Sequence, residues 1–96
     1  MKVDLDDEGL RKFAYVTISS YRIKTIRSLE GGRLEIPKGI SKITGIRASH
    51  MSNVLSDLKK EGLVECLNEN AHMGRLYRLT DVGEDIARNL KKNGME

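Results

Sequence analysis

Residues Ile40 to Leu55 constrain this chain more than any other stretch, because they read as two helical segments joined through one glycine. Ile40 and Ile43 share one face of a short segment that begins at Pro37. Proline suits a first helical turn, since it has no amide hydrogen to lose there. Gly45 follows and can take the positive φ that a tight turn needs. Beyond it, Met51, Val54, Leu55 and Leu58 recur on one stripe of a longer segment, Ala48 to Glu61. Ser41 is small enough to let the two helices approach, and Ile46 plugs the angle between them. The layout is that of a helix-turn-helix.

The flanking segments fit around this pair. Glu8 to Ile18 puts Leu10, Phe13, Ala14 and Ile18 at helical spacing. Ser19 or Ser20 can cap a following helix that carries Ile23, Ile26 and Leu29 up to the break at Gly31-Gly32. The stretch Tyr15 to Ile18 is rich in β-branched residues, which lowers helix propensity, so residues 8–30 read either as two helices or as one kinked helix. Arg33 to Ile36 is a short extended piece that stops at Pro37. Gly62 falls where a left-handed cap would end the second helix of the pair. Leu63 to Leu67 and Arg75 to Leu79 are predicted strands around the polar loop Asn68 to Gly74, an antiparallel hairpin. Thr80 can cap a last helix, Asp81 to Lys92, with Val82, Ile86 and Leu90 as its buried stripe. The fold class is therefore mainly α with a small β-hairpin (α+β).

Composition then excludes most functions. Ninety-six residues suit one domain over 1–96, whose core must come from isoleucine, leucine and valine, since the aromatics number four. One cysteine, Cys66, cannot staple the fold, which fits a reducing cytoplasm; a buried strand cysteine is the reading preferred over a redox sensor. No apolar run is long enough to span a bilayer. Residues 1–9 set Lys2 against Asp4, Asp6, Asp7 and Glu8, the wrong chemistry for a targeting peptide, and read as a disordered acidic tip. That leaves 16 bases and 10 acids, a charge of +6, for residues 10–96. A basic body makes an anionic partner plausible. Phosphate-binding glycine loops, paired metal-site histidines and nucleophile–base sets are absent, so no catalytic residue, cofactor or metal is expected. His50, His72 and Cys66 are too few for a zinc site.

The outward side of the segment Ala48 to Glu61 carries the chemistry. Opposite its apolar stripe lie Ser49, Asn53, Ser56 and Lys60, flanked by His50, Ser52 and Asp57. Its first half is short-chained, polar and able to hydrogen-bond base edges or phosphate. Arg47, just before it, suits either a bidentate guanine contact or a phosphate clamp.

The phrases Ile43-Thr44-Gly45-Ile46, Met51 to Leu55, Leu58-Lys59-Lys60-Glu61-Gly62-Leu63-Val64 and Gly74 to Gly83 together resemble a winged helix-turn-helix. They are similar to prokaryotic, archaeal-looking transcriptional regulators of the multiple-antibiotic-resistance and arsenic-repressor type, over about residues 20–90. The resemblance implies a two- or three-stranded antiparallel wing sheet and a cytoplasmic, homodimeric binder of double-stranded DNA. The helix 48–61 would read the major groove through Arg47, Ser49, His50, Ser52 and Asn53. The loop 68–74 would be the wing, with His72 or Arg75 beside the backbone or minor groove, and Lys38, Lys42 and Arg78 would meet phosphates. Ile36 departs from the Thr or Ser cap common before this proline, and Glu69 lowers the charge of the wing.

Two readings compete with it. A winged helix can serve as a protein–protein interaction module without base readout, to which Asp57 and Glu69 lend weight. RNA binding is disfavoured, because the chain lacks an aromatic stacking platform. Lys59-Lys60-Glu61 is most simply a solvated helix end, and Lys91-Lys92 compensates a helix dipole. The terminal helix and the segment before Ser20 offer the dimer surface.

Overall fold

The computed structural model describes residues 3–95. Its elements run α1 (Asp7–Thr17), α2 (Ser20–Ser28), α3 (Pro37–Thr44), α4 (Ala48–Lys60), β1 (Val64–Cys66), β2 (Tyr77–Leu79) and α5 (Asp81–Lys92). Five helices and one hairpin match the expected class.

Residues 8–30 form two helices. Ser19 ends the ambiguity: its backbone is extended, and its hydroxyl accepts the amide of Arg22 at 3.3 Å, an N-cap that starts α2. Asp6 caps α1 in the same way, accepting the amide of Gly9 at 2.8 Å. The inward stripe of α1 is Gly9, Phe13 and Val16. Of the expected stripe only Phe13 is inside; Ala14 is exposed, and Leu10 and Ile18 are 42% and 80% exposed. Gly9 is buried in their place, its bare backbone lying against the side chain of Leu5.

Residues 3–9 also differ from the expected disordered tip. Val3 and Leu5 pack on the core, and the Asp4 amide donates to Asn89 Oδ1 at 2.9 Å. Lys92 holds the Asp4 carboxylate at 2.7 Å, so the acidic segment is a strap across α5. Residues 1 and 2 lie outside the described residues.

The central pair folds as its spacing predicts. Gly45 takes φ +76°, its amide donates to the Ser41 carbonyl at 2.8 Å, and Ile46 is buried in the angle. Ile40, Met51, Leu55 and Leu58 are buried and Val54 is half-buried. Ile43 is instead 47% exposed, because α3 is short and presents Ile40 and the hydroxyl-bonded Thr44 to its neighbours.

Gly62, at φ +73°, closes α4 and delivers the chain into β1. The strands pair antiparallel with Val64 opposite Leu79 and Cys66 opposite Tyr77. The extended piece 33–36 contributes a single bridge, Glu35 to Tyr77, rather than a third strand. Cys66 is half-buried, with its thiol 3.5 Å from Asn68 Oδ1.

Helix α5 seats its first turn directly on the entrance to β1. Thr80 accepts the Gly83 amide at 3.1 Å, while its hydroxyl donates to the Gly62 carbonyl at 2.6 Å and its amide donates to the Leu63 carbonyl at 3.1 Å. Gly83 approaches so closely that a Cβ would stand 2.1 Å from the Leu63 oxygen. This contact sets the rotation of α5: Gly83, Ile86, Ala87 and Leu90 face inward, which leaves the expected Val82 40% exposed. In the same first turn, the Glu84 carboxylate accepts the amides of Gly31 and Gly32 at 2.9 and 2.7 Å, clamping the turn after α2.

Two glycine substitutions separate these effects. Gly83→Ala forces α5 off backbone atoms and is expected to cost about 1–3 kcal/mol in urea unfolding. Gly39→Ala meets only the movable end of the Glu35 side chain and should be neutral or stabilising by up to about 1 kcal/mol, from helix propensity. Equal losses at both sites would show that the backbone contact at Leu63 is not special.

Candidate nucleic-acid interface

The structure presents the polar side of α4 to solvent. Arg47, Ser49, His50, Ser52, Asn53 and Ser56 are all exposed, while Met51, Leu55 and Leu58 fix the opposite side in the core. Arg47 occupies the N-cap position with an extended backbone, no side-chain cap and no acid in the following turn. Its carbonyl accepts the amides of His50 and Met51 at 3.0 and 2.9 Å, so the backbone is fixed where the guanidinium departs. The positive end of the α4 dipole is therefore open to an anion. The start of α3 is not: the Glu35 carboxylate, paired with Arg33 at 3.2 Å, lies against its first turn.

Charge pairing divides the surface into two kinds. Arg11 pairs with Glu8 and Glu61, Arg27 with Glu30, Arg78 with Glu65, Arg88 with Asp85 and Lys92 with Asp4. Lys38, Lys42 and Arg47, by contrast, form no ion pair among the described residues. Their sequence neighbourhood explains it, because the chain carries no acid between Glu35 and Asp57. Lys24, Lys60 and Lys91 share the lack of an acidic partner among the described residues, and Lys24 lies beside Ile43 and Thr44 at the end of α3. This acid-free interval is a signal that charge totals do not reveal.

The wing is built to stand beside α4. Asn68 Oδ1 accepts the amide of Leu76 at 2.7 Å and its amide nitrogen donates to the Gly74 carbonyl at 3.1 Å, closing the loop 68–74 across its neck. Arg75 donates to the carbonyls of Ala71 and Glu69 at 2.8 and 3.0 Å, so its guanidinium shapes the loop from within. Lys59 pairs with Glu69 at 2.6 Å and ties the loop to α4. Thus Lys59 is a brace rather than a solvated helix end, and Glu61 joins α4 to α1 through Arg11 and Lys12. A cleft of about 330 Å³ runs between α4 and the wing, lined by Ser52, Ser56, Lys59, His72 and Arg75, with Pro37 at its edge. It continues into a second of about 340 Å³, where Lys38 and Met73 join His72 and Arg75.

The structure therefore brings Lys38, Ser52, His72 and Arg75 together, with Arg47, Ser49, His50 and Asn53 along the adjoining helix. Arg78 stands apart on the outer face of β2, paired with Glu65 at 2.8 Å. Of the two acids that weigh against this surface, Glu69 is held by Lys59. The other, Asp57, is exposed and lies near enough to α1 to add to the rise that burial causes in the Tyr15 phenol. No group of three or more His, Cys, Asp or Glu among the described residues could hold a metal ion. No helix of the described residues is long and apolar enough to cross a membrane.

No family model and no curated protein sequence matches the chain. Solved structures do match in three dimensions. A MarR family transcriptional regulator from Silicibacter pomeroyi DSS-3 superposes with a TM-score of 0.71 at 16% identity, covering 92% of this chain and 65% of its own. The reduced form of MarR from E. coli gives 0.70 at 23% identity, covering 85% of this chain and 61% of that one. The type III plasmid segregation protein TubR gives 0.75 at 9% identity, covering 100% of this chain and 96% of its own. The structural neighbours thus include MarR-family winged-helix regulators, and the fold is a winged helix. The chain spans less than two thirds of the length of those two MarR proteins.

The brace has a pH signature. Hydrogen bonding from Lys59 holds the Glu69 carboxyl below the usual carboxylate range. Its folded value being lowered, the stability it contributes is complete above the unfolded value and is lost as pH falls through the folded one. In an NMR titration, Lys59→Met should move Glu69 back up toward the ordinary value. An unchanged midpoint would mean the two side chains are not paired in solution.

Proposed function

We propose that this chain is a sequence-specific double-stranded DNA-binding transcriptional regulator, with α4 in the major groove and the loop 68–74 near the backbone or minor groove. One observation carries the reading. Lys38, Lys42 and Arg47 are unpaired in an acid-free stretch that surrounds an exposed polar helix face, while most other arginines at the surface are matched to local acids or carbonyls. An uncompensated positive surface beside small hydrogen-bonding side chains suits a phosphate backbone with base edges between its strands. Ser49, His50, Ser52 and Asn53 face the bases, with Arg47 on guanine or phosphate. Lys38 and Lys42, one turn apart on α3, take phosphates, and His72 and Arg75 flank them from the wing. Arg78 must exchange Glu65 for phosphate to take part. The description of the MarR-family structural neighbour as a transcriptional regulator agrees with this role. The role is binding, not catalysis, and its place is the cytoplasm.

One α4 covers a half-site, and two-fold partners span half-sites about 34–36 Å apart. We infer a homodimer, supported by the stripe Leu10, Ala14 and Ile18, which α1 leaves exposed at helical spacing. A paired stripe of this kind buries apolar surface that a monomer leaves in water.

Three measurements test the reading. Arg47→Ala and Asn53→Ala should each lose about 1–3 kcal/mol of preference for a specific over a random duplex. Lys38→Ala and Lys42→Ala should weaken all duplexes alike and flatten the slope of log affinity against log salt by about 0.9 for each phosphate no longer neutralised. Duplex binding unaffected by any of the four would favour the protein-interaction module. In sedimentation, Ile18→Glu should yield monomers without loss of helix content, whereas a dimer that survives it is built on another face.

A further inference from the structure

The first turn of α4 carries a contact that none of the interface residues explains. The ring of Tyr21, at the start of α2, meets the imidazole of His50 with centroids 5.6 Å apart and planes inclined at 52°. That separation lies inside the range in which aromatic rings attract one another. Both rings are at the surface, Tyr21 being 40% exposed.

Their meeting is set from beneath. Thr25, one turn after Tyr21, is fully buried and donates its hydroxyl to the Tyr21 carbonyl at 2.8 Å, with Met51 Sδ at 4.0 Å. Met51, the residue after His50, is also fully buried. The backbones that carry the two rings are therefore locked by one core contact between α2 and α4. The neighbouring cation is turned elsewhere: Arg22 donates to the Tyr15 carbonyl at 2.7 Å and lies 3.8 Å from the centre of the Tyr15 ring. Tyr21 thus has His50 as its ring partner, and its hydroxyl forms no hydrogen bond among the described residues.

We propose that Tyr21 is a positioning residue for sequence preference, acting through His50. An exposed histidine in a first helical turn samples several rotamers, and ordering it on DNA costs entropy. A ring already packed on its flank removes part of that cost and aims one imidazole edge along α4 toward the groove. Tyr21 touches no base in this role; it decides which base step His50 favours and how strongly. The inference rests on the DNA-binding reading above.

A mutant cycle on the full chain tests it, with duplexes selected by the wild type from a random pool and a scrambled duplex as control. Tyr21→Ala should reduce the ratio of selected-site to scrambled binding roughly 2- to 12-fold, the range of an aromatic pair. Tyr21→Phe should restore it. In a His50→Ala background, Tyr21→Ala should have no further effect on the ratio. Equal losses in both backgrounds, or an unchanged ratio, would overturn the role. NMR gives an arm that needs no DNA: the ring-proton shifts of His50 should move in Tyr21→Ala while the Met51 methyl shift stays. An unmoved His50 would refute the contact itself. Absence of any selected site for the wild type, with the ring shifts as expected, would remove the DNA-binding reading and this role with it.

Discussion

The contact of the Gly83 backbone with the Leu63 carbonyl governs how α4 and the wing stand relative to each other. Leu63 is where the chain leaves α4 for β1, and Thr80 is where it leaves β2 for α5. Thr80 binds the backbone of both Gly62 and Leu63, so the two ends of the hairpin are joined at its base. A side chain at position 83 would separate them. The rotation this contact imposes on α5 brings Glu84 under the Gly31-Gly32 turn and presents Asn89 to the Asp4 amide. Those secondary contacts hold α2 and the N-terminal strap. Further out, the Lys59 pair with Glu69 repeats the connection at the start of the loop 68–74. A hairpin tied at its base and at the neck of its loop leaves the cleft beside α4 with a defined shape.

Electrostatics then distinguishes one face. Elsewhere on the molecule, most arginines are balanced by acids a turn away or across an element boundary, where exposed pairs contribute little stability but cancel the field. Past Glu35, from Lys38 to the start of α4, no acid of the local sequence cancels it. A net charge of +3 understates this, because it averages a compensated body with an uncompensated face. Of the acids that favour a protein partner, Glu69 is engaged by Lys59, while Asp57 stays exposed on α4.

Much of this was legible in the sequence. Gly45, Gly62, Ser19 and Thr80 act as the punctuation their chemistry suggests, since caps and left-handed glycines are decided locally. The inward faces of α1 and α5 were legible only in part: Phe13, Ile86 and Leu90 are buried as their spacing suggests, while Leu10, Ile18 and Val82 point outward. On α5 the glycine at 83 sets the rotation through close backbone approach, and a glycine adds nothing to an apolar pattern. The order of residues 3–9 was hidden for a similar reason: Asp4 is held through its amide by Asn89 rather than by its charge alone. Every expected reading residue on α4 is exposed, since helix spacing alone separates its two faces. Arg75 and Arg78 were harder, because their engagement with loop carbonyls and with Glu65 depends on hairpin register.

The central claim is that this surface reads duplex sequence, and selection of binding sites from a random duplex pool by the full chain tests it most directly. Enrichment of a two-fold-symmetric consensus, with half-sites about one helical turn apart, is the predicted result. Recovery of sequences no different from the starting pool, at salt low enough for measurable binding, would contradict it.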